Sequence, residues 1–404
     1  MNQSNLKKLQ NLLKEKDTDI FVINRSDEYL NEYISPNAER LNFITNFSGS
    51  AGRAIITPTD AFLYVDGRYT FQANTQINAK EIQAKHLNSF WTDLEKILLE
   101  EEYKIALDPT LHSIIEIEKV EKMLENSTSQ LQLIDKNFVD LIWENQPKTQ
   151  YTDIFDHPTS FAGQSRSEKL DILKKFLDQN EIDHYFVSGL DNIAWLLNLR
   201  ADDIKYTPLL YSYLLISKNN KHSLYIKESS MPEILKKEIQ TLININNIEN
   251  IGSIFNNINS SESIGLDFNS TTFYFLDLLR KQKINTKNLA NPCILLKAIK
   301  NETEIDGAKK AHIRDGVSIT KFLYWLKNHK NIEKETEISV ARKLLDFRKS
   351  NALFHSLSFD TISAIGKNAA LPHYRVTKKS NLRFAKNSIY LVDSGAQYKD
   401  GTTD

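Results

Sequence analysis

The sequence of 404 residues contains one cysteine, Cys293, which excludes a disulfide within the chain. No apolar run approaches the roughly 20 residues that cross a bilayer. The first residues alternate leucines with lysines and lack the unbroken apolar core of a secretory signal. A formal net charge of −1 provides no global field to attract nucleic acid or anionic lipid. These absences favour a cytoplasmic globular protein that binds neither nucleic acid nor membrane.

Three common catalytic motifs are also missing. The sequence contains no phosphate-binding Walker loop, no glycine fingerprint for a dinucleotide and no nucleophile elbow of the GxSxG type. Its composition, 41% hydrophobic and 25% charged residues, is that of an ordinary globular protein. A chain of this length is expected to form more than one domain.

The first 290 residues contain two similar segments. In each, an amphipathic helix precedes a short buried strand: Leu6 to Leu13 precedes Asp19 to Asn24, and Arg166 to Leu177 precedes Asp183 to Val187. Further strands follow in both segments. Self-similarity over about 160 residues is too long for a solenoid repeat. It predicts a duplicated α/β domain.

The pattern changes near Asn291. Asn301 lies three residues before Glu304, which predicts a helix start, and a second helix is predicted from Thr336. The apolar face of the first helix is predicted at Ile305, Ala308, His312, Ile319, Phe322, Leu323 and Leu326.

Strands are predicted beyond the two helices, at Ser358 to Ser363, around Leu371 to Tyr374 and from Ile389 onward. The sequence therefore predicts an α/β and α+β protein with three domains, at 1–147, 148–290 and 291–404. The third is half of an α+β domain.

Two carboxylates in the last stretch are the strongest candidates for chemistry. Asp393 ends the β-rich run Ile-Tyr-Leu-Val, and Asp404 follows the turn signal Asp400-Gly401. We expect them on neighbouring strands of one hairpin, where their mutual repulsion would be removed by a divalent cation that prefers oxygen ligands. The alternative, a turn-capping Asp393 and an exposed Asp404, stays open from spacing alone.

Other polar residues carry weaker signals. His373, in Leu-Pro-His-Tyr, is a candidate for steadying a developing oxyanion. Arg68, in Asp-Gly-Arg-Tyr, is a candidate clamp for a carboxylate or peptide group, with a salt bridge to Asp66 as the alternative. His312, on the apolar helix face, and His355, in a loop-like stretch, show no comparable pattern.

Several motifs together resemble one family. The Asp393–Asp404 block, preceded by Leu371-Pro-His-Tyr374, closely resembles the catalytic domain of three-domain, cytosolic-type aminopeptidase P (Xaa-Pro aminopeptidase). The resemblance continues through the chain. Its first creatinase-type domain is matched by Tyr33-Ile-Ser-Pro36, Phe47-Ser-Gly-Ser-Ala-Gly52 and Asp66-Gly-Arg-Tyr69, its second by Leu190 to Arg200, and the first helix of its third by Lys300 to Glu304 and Ala311 to Asp315.

The resemblance implies a fold and a metal site. The fold would be two creatinase-like N-terminal domains followed by the first half of a pita-bread catalytic domain. Two divalent metal ions, usually manganese, would be held in part by Asp393 as a bidentate ligand of one ion and by Asp404 as a bridging ligand. The reaction would be hydrolysis of the bond before proline by a metal-bridged hydroxide.

The same resemblance implies roles for residues outside the metal site. His373 would act catalytically and contact the substrate, and Arg68 and Glu32 would bind the substrate, in a homodimer. The substrates would be peptides with proline in the second position.

The family's other ligands, a histidine and two glutamates, are expected beyond the residues of this sequence. We therefore expect the 404-residue chain to be inactive by itself. Two alternative functions stay open: a prolidase-like dipeptidase, and a non-catalytic binding or dimerisation module with the creatinase fold.

Overall fold

The computed structural model describes residues 3–404. The strands are β1 Ile20–Asn24, β2 Arg53–Ile56, β3 Ala61–Val65, β4 Gln83–His86, β5 Lys104–Leu107, β6 Gln130–Leu133, β7 Phe155–Asp156, β8 His184–Val187, β9 Leu199–Arg200, β10 Tyr213–Ser217, β11 His222–Ile226, β12 Ile243–Asn247, β13 Ser263–Leu266, β14 Asn285–Asn288, β15 Phe354–Leu357, β16 Ile362–Ile365, β17 Tyr390–Asp393, β18 Ala396–Tyr398 and β19 Gly401–Thr402.

The α-helices are α1 Asn5–Glu15, α2 Arg40–Thr45, α3 Thr70–Gln76, α4 Phe90–Glu100, α5 Ile114–Leu124, α6 Phe138–Ile142, α7 Thr159–Ala162, α8 Arg166–Gln179, α9 Leu190–Leu197, α10 Glu233–Ile239, α11 Phe273–Lys281, α12 Pro292–Ala298, α13 Glu302–Asn328 and α14 Glu337–Lys349. Short 3-10 helices lie at Pro36–Ala38, Leu87–Ser89, Glu228–Ser230, Ile248–Ser253, Ile332–Lys334 and Gly366–Ala370. Within residues 3–404, no helix combines the length and the apolarity needed to cross a bilayer.

The described chain divides into two compact units. One contains the residues up to Asp153 together with Asp171–Ile193 and Leu210–Pro292, and the other contains Ile154–Leu170, Ala194–Leu209 and Cys293–Asp404. The domain division at 1–147, 148–290 and 291–404 stays a prediction.

The first unit contains two sheets with the same topology. One has the order β4-β3-β2-β1-β5-β6 and the other the order β12-β11-β10-β8-β13-β14. Each strand pair in the first sheet has the same parallel or antiparallel sense as its counterpart in the second. The predicted duplication is therefore confirmed at the level of sheet topology.

Helix α1 forms because its apolar residues follow the helical period and Ser4 caps its first turn. The side chain of Ser4 accepts a hydrogen bond from the amide of Lys7 at 3.3 Å. Leu6, Leu9 and Leu13 are buried in the core of the first sheet. Strand β1 is buried along its whole length, as expected for a strand inside an α/β layer.

The two repeats contact each other through equivalent loops. Ser113 caps α5, which follows β5, and Thr272 occupies the N-cap position of α11, which follows the equivalent strand β13. These two residues form an antiparallel bridge. The amide of Ile114 donates a hydrogen bond to the carbonyl of Thr271 at 3.0 Å. The amide of Phe273 donates to the carbonyl of His112 at the same distance. The repeats thus meet with approximate twofold symmetry.

The second unit is organised around α13 and α14. Both helices begin with capping boxes, from Asn301 to Glu304 and from Thr336 to Ser339, so the predicted helix starts are confirmed. Three short sheets are also present: β15-β18-β19, β16-β17 and β7-β9. Helix α13 packs on α14 and β19, and α14 packs on β16.

The predicted apolar face of α13 is confirmed only in part: Phe322 is buried, and Ile319 and Leu326 pack against the same core cluster. The buried residues are Gly307, Ala311, Asp315, Ser318 and Phe322. Predicted core positions such as His312 and Leu323 are exposed. The small and polar side chains on the buried face are needed there because β19 and α14 approach the helix closely, a requirement that hydrophobic periodicity does not detect.

Two strand predictions also need correction. His355 lies in β15, not in a loop. The predicted strand at Ser358 to Ser363 covers the connection between β15 and β16, and only its last two residues lie in β16. Leu371 to Tyr374 follows a 3-10 helix as irregular chain. Polar residues at Ser356 and His355 weaken the strand signal of β15.

The second sheet predicts a pH effect on stability. His222 is buried at the start of β11, where its Nδ1 accepts a hydrogen bond from the amide of Ser217 at 3.1 Å. Burial, assisted by Lys174, lowers the pKa of His222 to about 4. An unfolded histidine titrates near 6.5, so the unfolded chain binds more protons between these values. The contribution of His222 to the free energy of unfolding is therefore fully present above pH 6.5. It falls by about 3 kcal/mol as the pH drops to 4.

The measurement is urea unfolding from pH 7 to 4. His222→Asn keeps an acceptor for Ser217 and is expected to reduce the acid-dependent loss of stability. His86→Asn is the matched control, because His86 also accepts from a backbone amide but is exposed. Equal pH slopes for the wild type and His222→Asn would show that this histidine does not control acid stability.

Candidate metal centre

Asp393 and Asp404 lie at the ends of two different sheets. Asp393 is the last residue of β17 and pairs with Ile362 of β16. Asp404 follows β19, which pairs with β18. The prediction that both occupy neighbouring strands of one hairpin is therefore wrong in detail, because the chain changes sheets between β17 and β18. Both residues are exposed.

The segments next to the two aspartates contact each other at Gly395. A Cβ atom at Gly395 would lie 2.1 Å from the carbonyl oxygen of Thr403 and 2.2 Å from Oγ of Ser358. The amide of Thr403 donates to the carbonyl of Ala396 at 2.9 Å, and Ser358 Oγ donates to the carbonyl of Thr403 at 2.8 Å. Only glycine allows this approach. The backbone beside Asp404 therefore lies close to the backbone beside Asp393.

The turn between β18 and β19 is fixed to helix α13. Both terminal nitrogens of Arg314 donate to the carboxylate of Asp400, each at 2.9 Å. A Cβ atom at Gly307 would lie 2.2 Å from the carbonyl oxygen of Asp400. A Cβ at Gly401 would lie 3.0 Å from Cβ of Ala311. The small residues on α13 thus let the turn that precedes Asp404 lie directly on the helix.

A buried ion pair lies beneath the same strands. Arg348 Nε and Nη2 donate to the two carboxylate oxygens of Asp315 at 2.8 and 2.9 Å, and the hydroxyl of Tyr398 donates to Asp315 at 2.8 Å. The Arg348 side chain is 0% exposed and that of Asp315 is 8% exposed. Burial raises the pKa of Asp315, but the hydrogen bonds and charge of Arg348 outweigh it and hold that pKa below its usual range.

The segment that carries His373 is held by another buried carboxylate. Glu337, the first residue of α14, is 0% exposed. Its carboxylate accepts hydrogen bonds at 2.8 to 3.0 Å from the amides of Ile365 and Leu382, the side-chain amide of Asn368 and the hydroxyl of Tyr374. His373 itself is partly buried. Because Tyr374 is its neighbour, Glu337 fixes the backbone beside His373.

Arg68 and Glu32 belong to the first unit. Arg68 Nε and Nη2 donate to the carboxylate of Asp66 at 3.0 and 2.7 Å, which is the salt bridge considered as the alternative from sequence. Its side chain is 53% exposed and lies over the ring of Tyr69. The hydrogen bond to Asp66 raises the pKa of Arg68, with a further contribution from Glu32. Glu32 is exposed, and its charge contributes to the raised pKa of Arg68.

Among residues 3–404, no group of three or more histidine, cysteine or acidic side chains could hold a metal ion. The carboxylates of Asp393 and Asp404 are hard oxygen donors of the type that manganese and magnesium prefer. They fit part of a metal site. Cys293 is buried, and His355 lies 2.7 Å from Asp202, so neither adds a ligand to the two aspartates.

Sequence reasoning missed Asp315, Arg348 and Glu337 as parts of this site. Asp315 appeared only inside a motif, and neither Arg348 nor Glu337 was singled out. A signal was available, because charged residues placed among small residues on one face of α13 must be paired when that face is buried.

The sequence matches family models along nearly its whole length. Residues 5–136 and 145–304 match the Creatinase/Prolidase N-terminal domain in two forms. Residues 306–404 match Metallopeptidase family M24.

Curated relatives match the whole chain. A probable Xaa-Pro aminopeptidase P from Paracoccidioides brasiliensis (strain Pb03) is 34% identical over 99% of this chain and 67% of that protein. This chain belongs to the Xaa-Pro aminopeptidase P family. The corresponding protein of Pyrenophora teres f. teres is 33% identical over 99% of this chain and 63% of its own length.

A solved structure of the same family has the same fold. This structure is the X-prolyl aminopeptidase of Caenorhabditis elegans, described as a cytosolic enzyme with a di-nuclear active site. Its sequence is 28% identical to this chain, and the TM-score is 0.91 over 99% of this chain and 68% of that chain. The predicted fold class is therefore confirmed: two creatinase-type N-terminal domains precede a segment of the M24 pita-bread domain. The family is one of metallopeptidases.

Proposed function

We propose that this chain supplies substrate-binding and metal-binding parts of a metal-dependent aminopeptidase that removes the residue before proline from the N-terminus of peptides. Membership of the Xaa-Pro aminopeptidase P family supports this activity. The observation that carries it here is the rigid setting of the strand ends that bear Asp393 and Asp404. Glycine contacts, the Arg314–Asp400 pair and the buried Asp315 fix these strand ends on α13.

In this proposal, Asp393 and Asp404 would hold part of a site for two divalent ions, most simply Mn²⁺. When bound there, the ions would supply the activation of the attacking water and the polarisation of the scissile carbonyl. The two negatively charged carboxylates would offset the positive charge of the ions and would orient the ions in the site. The remaining ligands that the family resemblance implies, a histidine and two glutamates, are proposed to lie outside these 404 residues.

His373 is proposed to contact the substrate beside the scissile bond, where an imidazole N–H can donate to the developing oxyanion. Its neighbour Tyr374 donates to Glu337 and accepts from Asn368 at 2.8 Å, so the backbone around His373 is held in place. Burial raises the pKa of Tyr374 to about 12, so its hydroxyl remains a donor at neutral pH.

Arg68 and Glu32 are proposed to bind the substrate. An exposed guanidinium that is held by Asp66 is oriented in advance for a peptide carbonyl or carboxylate. The acid Glu32 would pair with the free α-amino group of the peptide. We further propose a cytoplasmic homodimer in which these two side chains serve the catalytic site, and the cytosolic enzyme of C. elegans supports the location.

The proposed activity is tested with two proteins. One is the 404-residue chain, and the other is the same chain extended through the family's remaining ligands. With Mn²⁺, the extended protein is expected to cleave Xaa-Pro-Xaa tripeptides and the 404-residue chain is expected to show no cleavage, because two carboxylates form an incomplete site.

Xaa-Ala-Xaa peptides and Xaa-Pro dipeptides are the substrate controls. Preferential cleavage of dipeptides by the extended protein would favour a prolidase-like enzyme. Rapid turnover by the 404-residue chain would contradict the need for the additional ligands, and an inactive extended protein would favour a binding module.

A further inference from the structure

The Asp315–Arg348 pair connects two helices to the strand ends that bear the candidate ligands. Asp315 lies on α13 and Arg348 on α14, and both side chains are buried. Such a pair loses hydration, and the loss is offset only when the remaining donors and acceptors are also used. In the part of the chain that the structure describes, Nη1 of Arg348 is buried without a hydrogen-bond partner, and the partners of the other donors and acceptors show what the pair holds in place.

One partner lies beside Asp393. Nη2 of Arg348 donates to the carbonyl oxygen of Ser394 at 3.0 Å. Ser394 follows Asp393 directly, at the point where the chain leaves the β16-β17 sheet. A charged donor that is itself fixed by two bonds to Asp315 sets the position of this peptide group.

The other contacts lie on the strands that lead to Asp404. The side chain of Thr403 is 3% exposed and helps to lower the pKa of Asp315, after the larger effects of burial and Arg348. Its hydroxyl oxygen accepts from the amide of Ala396 at 3.0 Å. Tyr398 donates to Asp315 from the strand that pairs with β19.

We propose that Asp315, Arg348 and Thr403 are positioning residues that fix the separation of Asp393 and Asp404 for metal binding. Two carboxylates repel each other before a cation arrives, and the strand ends that bear them would move apart unless other contacts held them. The buried pair is bonded to the residue after Asp393 and to Tyr398 of β18, and Thr403, the residue before Asp404, is bonded to Ala396 of the same strand. These contacts oppose that movement. This inference rests on the proposed metal-binding role of the two aspartates.

The test uses the 404-residue chain and Mn²⁺ alone. Binding is followed by the loss of the free Mn²⁺ signal in electron paramagnetic resonance. Thr403→Val keeps the shape of the side chain and removes the hydroxyl, and it is expected to weaken Mn²⁺ binding about tenfold, as changes behind metal ligands commonly do. Thr403→Ser restores the hydroxyl and is expected to restore the affinity.

Thr402→Val is the matched control, since Thr402 is the exposed residue directly before Thr403 and the last residue of β19. Tyr398→Phe is a second test variant, because it removes a hydrogen bond to Asp315 and is expected to weaken binding. Amide hydrogen exchange over residues 389–404 is measured on the same samples. Thr403→Val is expected to speed exchange there, and Thr403→Ser is not.

The outcomes separate this inference from the proposed function. Wild-type affinity and wild-type exchange in Thr403→Val would overturn the inference, as would a serine variant no better than valine. Asp393→Asn and Asp404→Asn are expected to weaken Mn²⁺ binding. If they bind like the wild type, the proposed metal ligands are wrong, and the positioning role, defined for metal binding, is overturned with them.

Discussion

Replacing Arg348 with methionine is expected to destabilise the α13–α14 region by about 3–5 kcal/mol, because the change leaves the carboxylate of Asp315 buried without its cation. Arg348 is completely buried and donates to both oxygens of Asp315 and to the carbonyl of Ser394. The free energy of opening is measured by hydrogen exchange of amides in α14 at increasing urea concentrations.

Two further variants show which part of the interaction matters. Arg348→Lys keeps the charge but loses the planar fork that reaches Asp315 and Ser394 together, and we expect an intermediate loss of stability. Arg348→Met combined with Asp315→Asn removes the unpaired charge and is expected to recover part of the loss. A loss below about 1 kcal/mol in Arg348→Met, or a double variant no more stable than the single one, would contradict the importance of the pair.

The sequence predicted the architecture well where local chemistry determines it. The helix starts at Asn301 and Thr336 follow from capping residues that act within one turn. The duplicated sheets follow from apolar runs such as β1 and β8, which are buried along their full length in both repeats. In each case the signal lies within a few residues of the structure that it determines.

The errors occur where distant contacts decide the outcome. Helix α13 exposes Ile313 and Tyr324 and buries Gly307 and Asp315, the reverse of a hydrophobic pattern. Gly307 is buried because the carbonyl of Asp400, distant in sequence, lies against it. No periodicity within the helix contains that information.

The candidate site was predicted from motifs and not from geometry. Spacing alone did not separate a metal-ligand role for Asp393 and Asp404 from a turn and an exposed terminus. The expected single hairpin proved to be two sheets joined at Ser394 and Gly395. For Arg68, the salt bridge to Asp66 is present, and its substrate role stays a prediction.

Replacing Glu337 with glutamine is expected to destabilise the same region by about 2–4 kcal/mol, since bonds to a buried charged acceptor are stronger than neutral ones. The carboxylate uses both oxygens to accept from separate parts of the chain: β16, the 3-10 helix after it, and the segment around Leu382. It also lies in the first turn of α14, where the helix dipole favours negative charge. The amide group of glutamine would direct two donors at groups that are themselves donors.

The measurements are urea unfolding and hydrogen exchange over residues 366–382. Glu333→Gln is the control, because Glu333 is exposed and its ion pair with Lys386 is on the surface, where such pairs contribute little. Stability of Glu337→Gln within about 1 kcal/mol of the wild type would contradict a central role for the carboxylate. If exchange around Tyr374 rises far more than exchange in α13, Glu337 acts mainly on the segment that carries His373. The proposed catalytic histidine would then depend for its position on a carboxylate that does not contact the substrate.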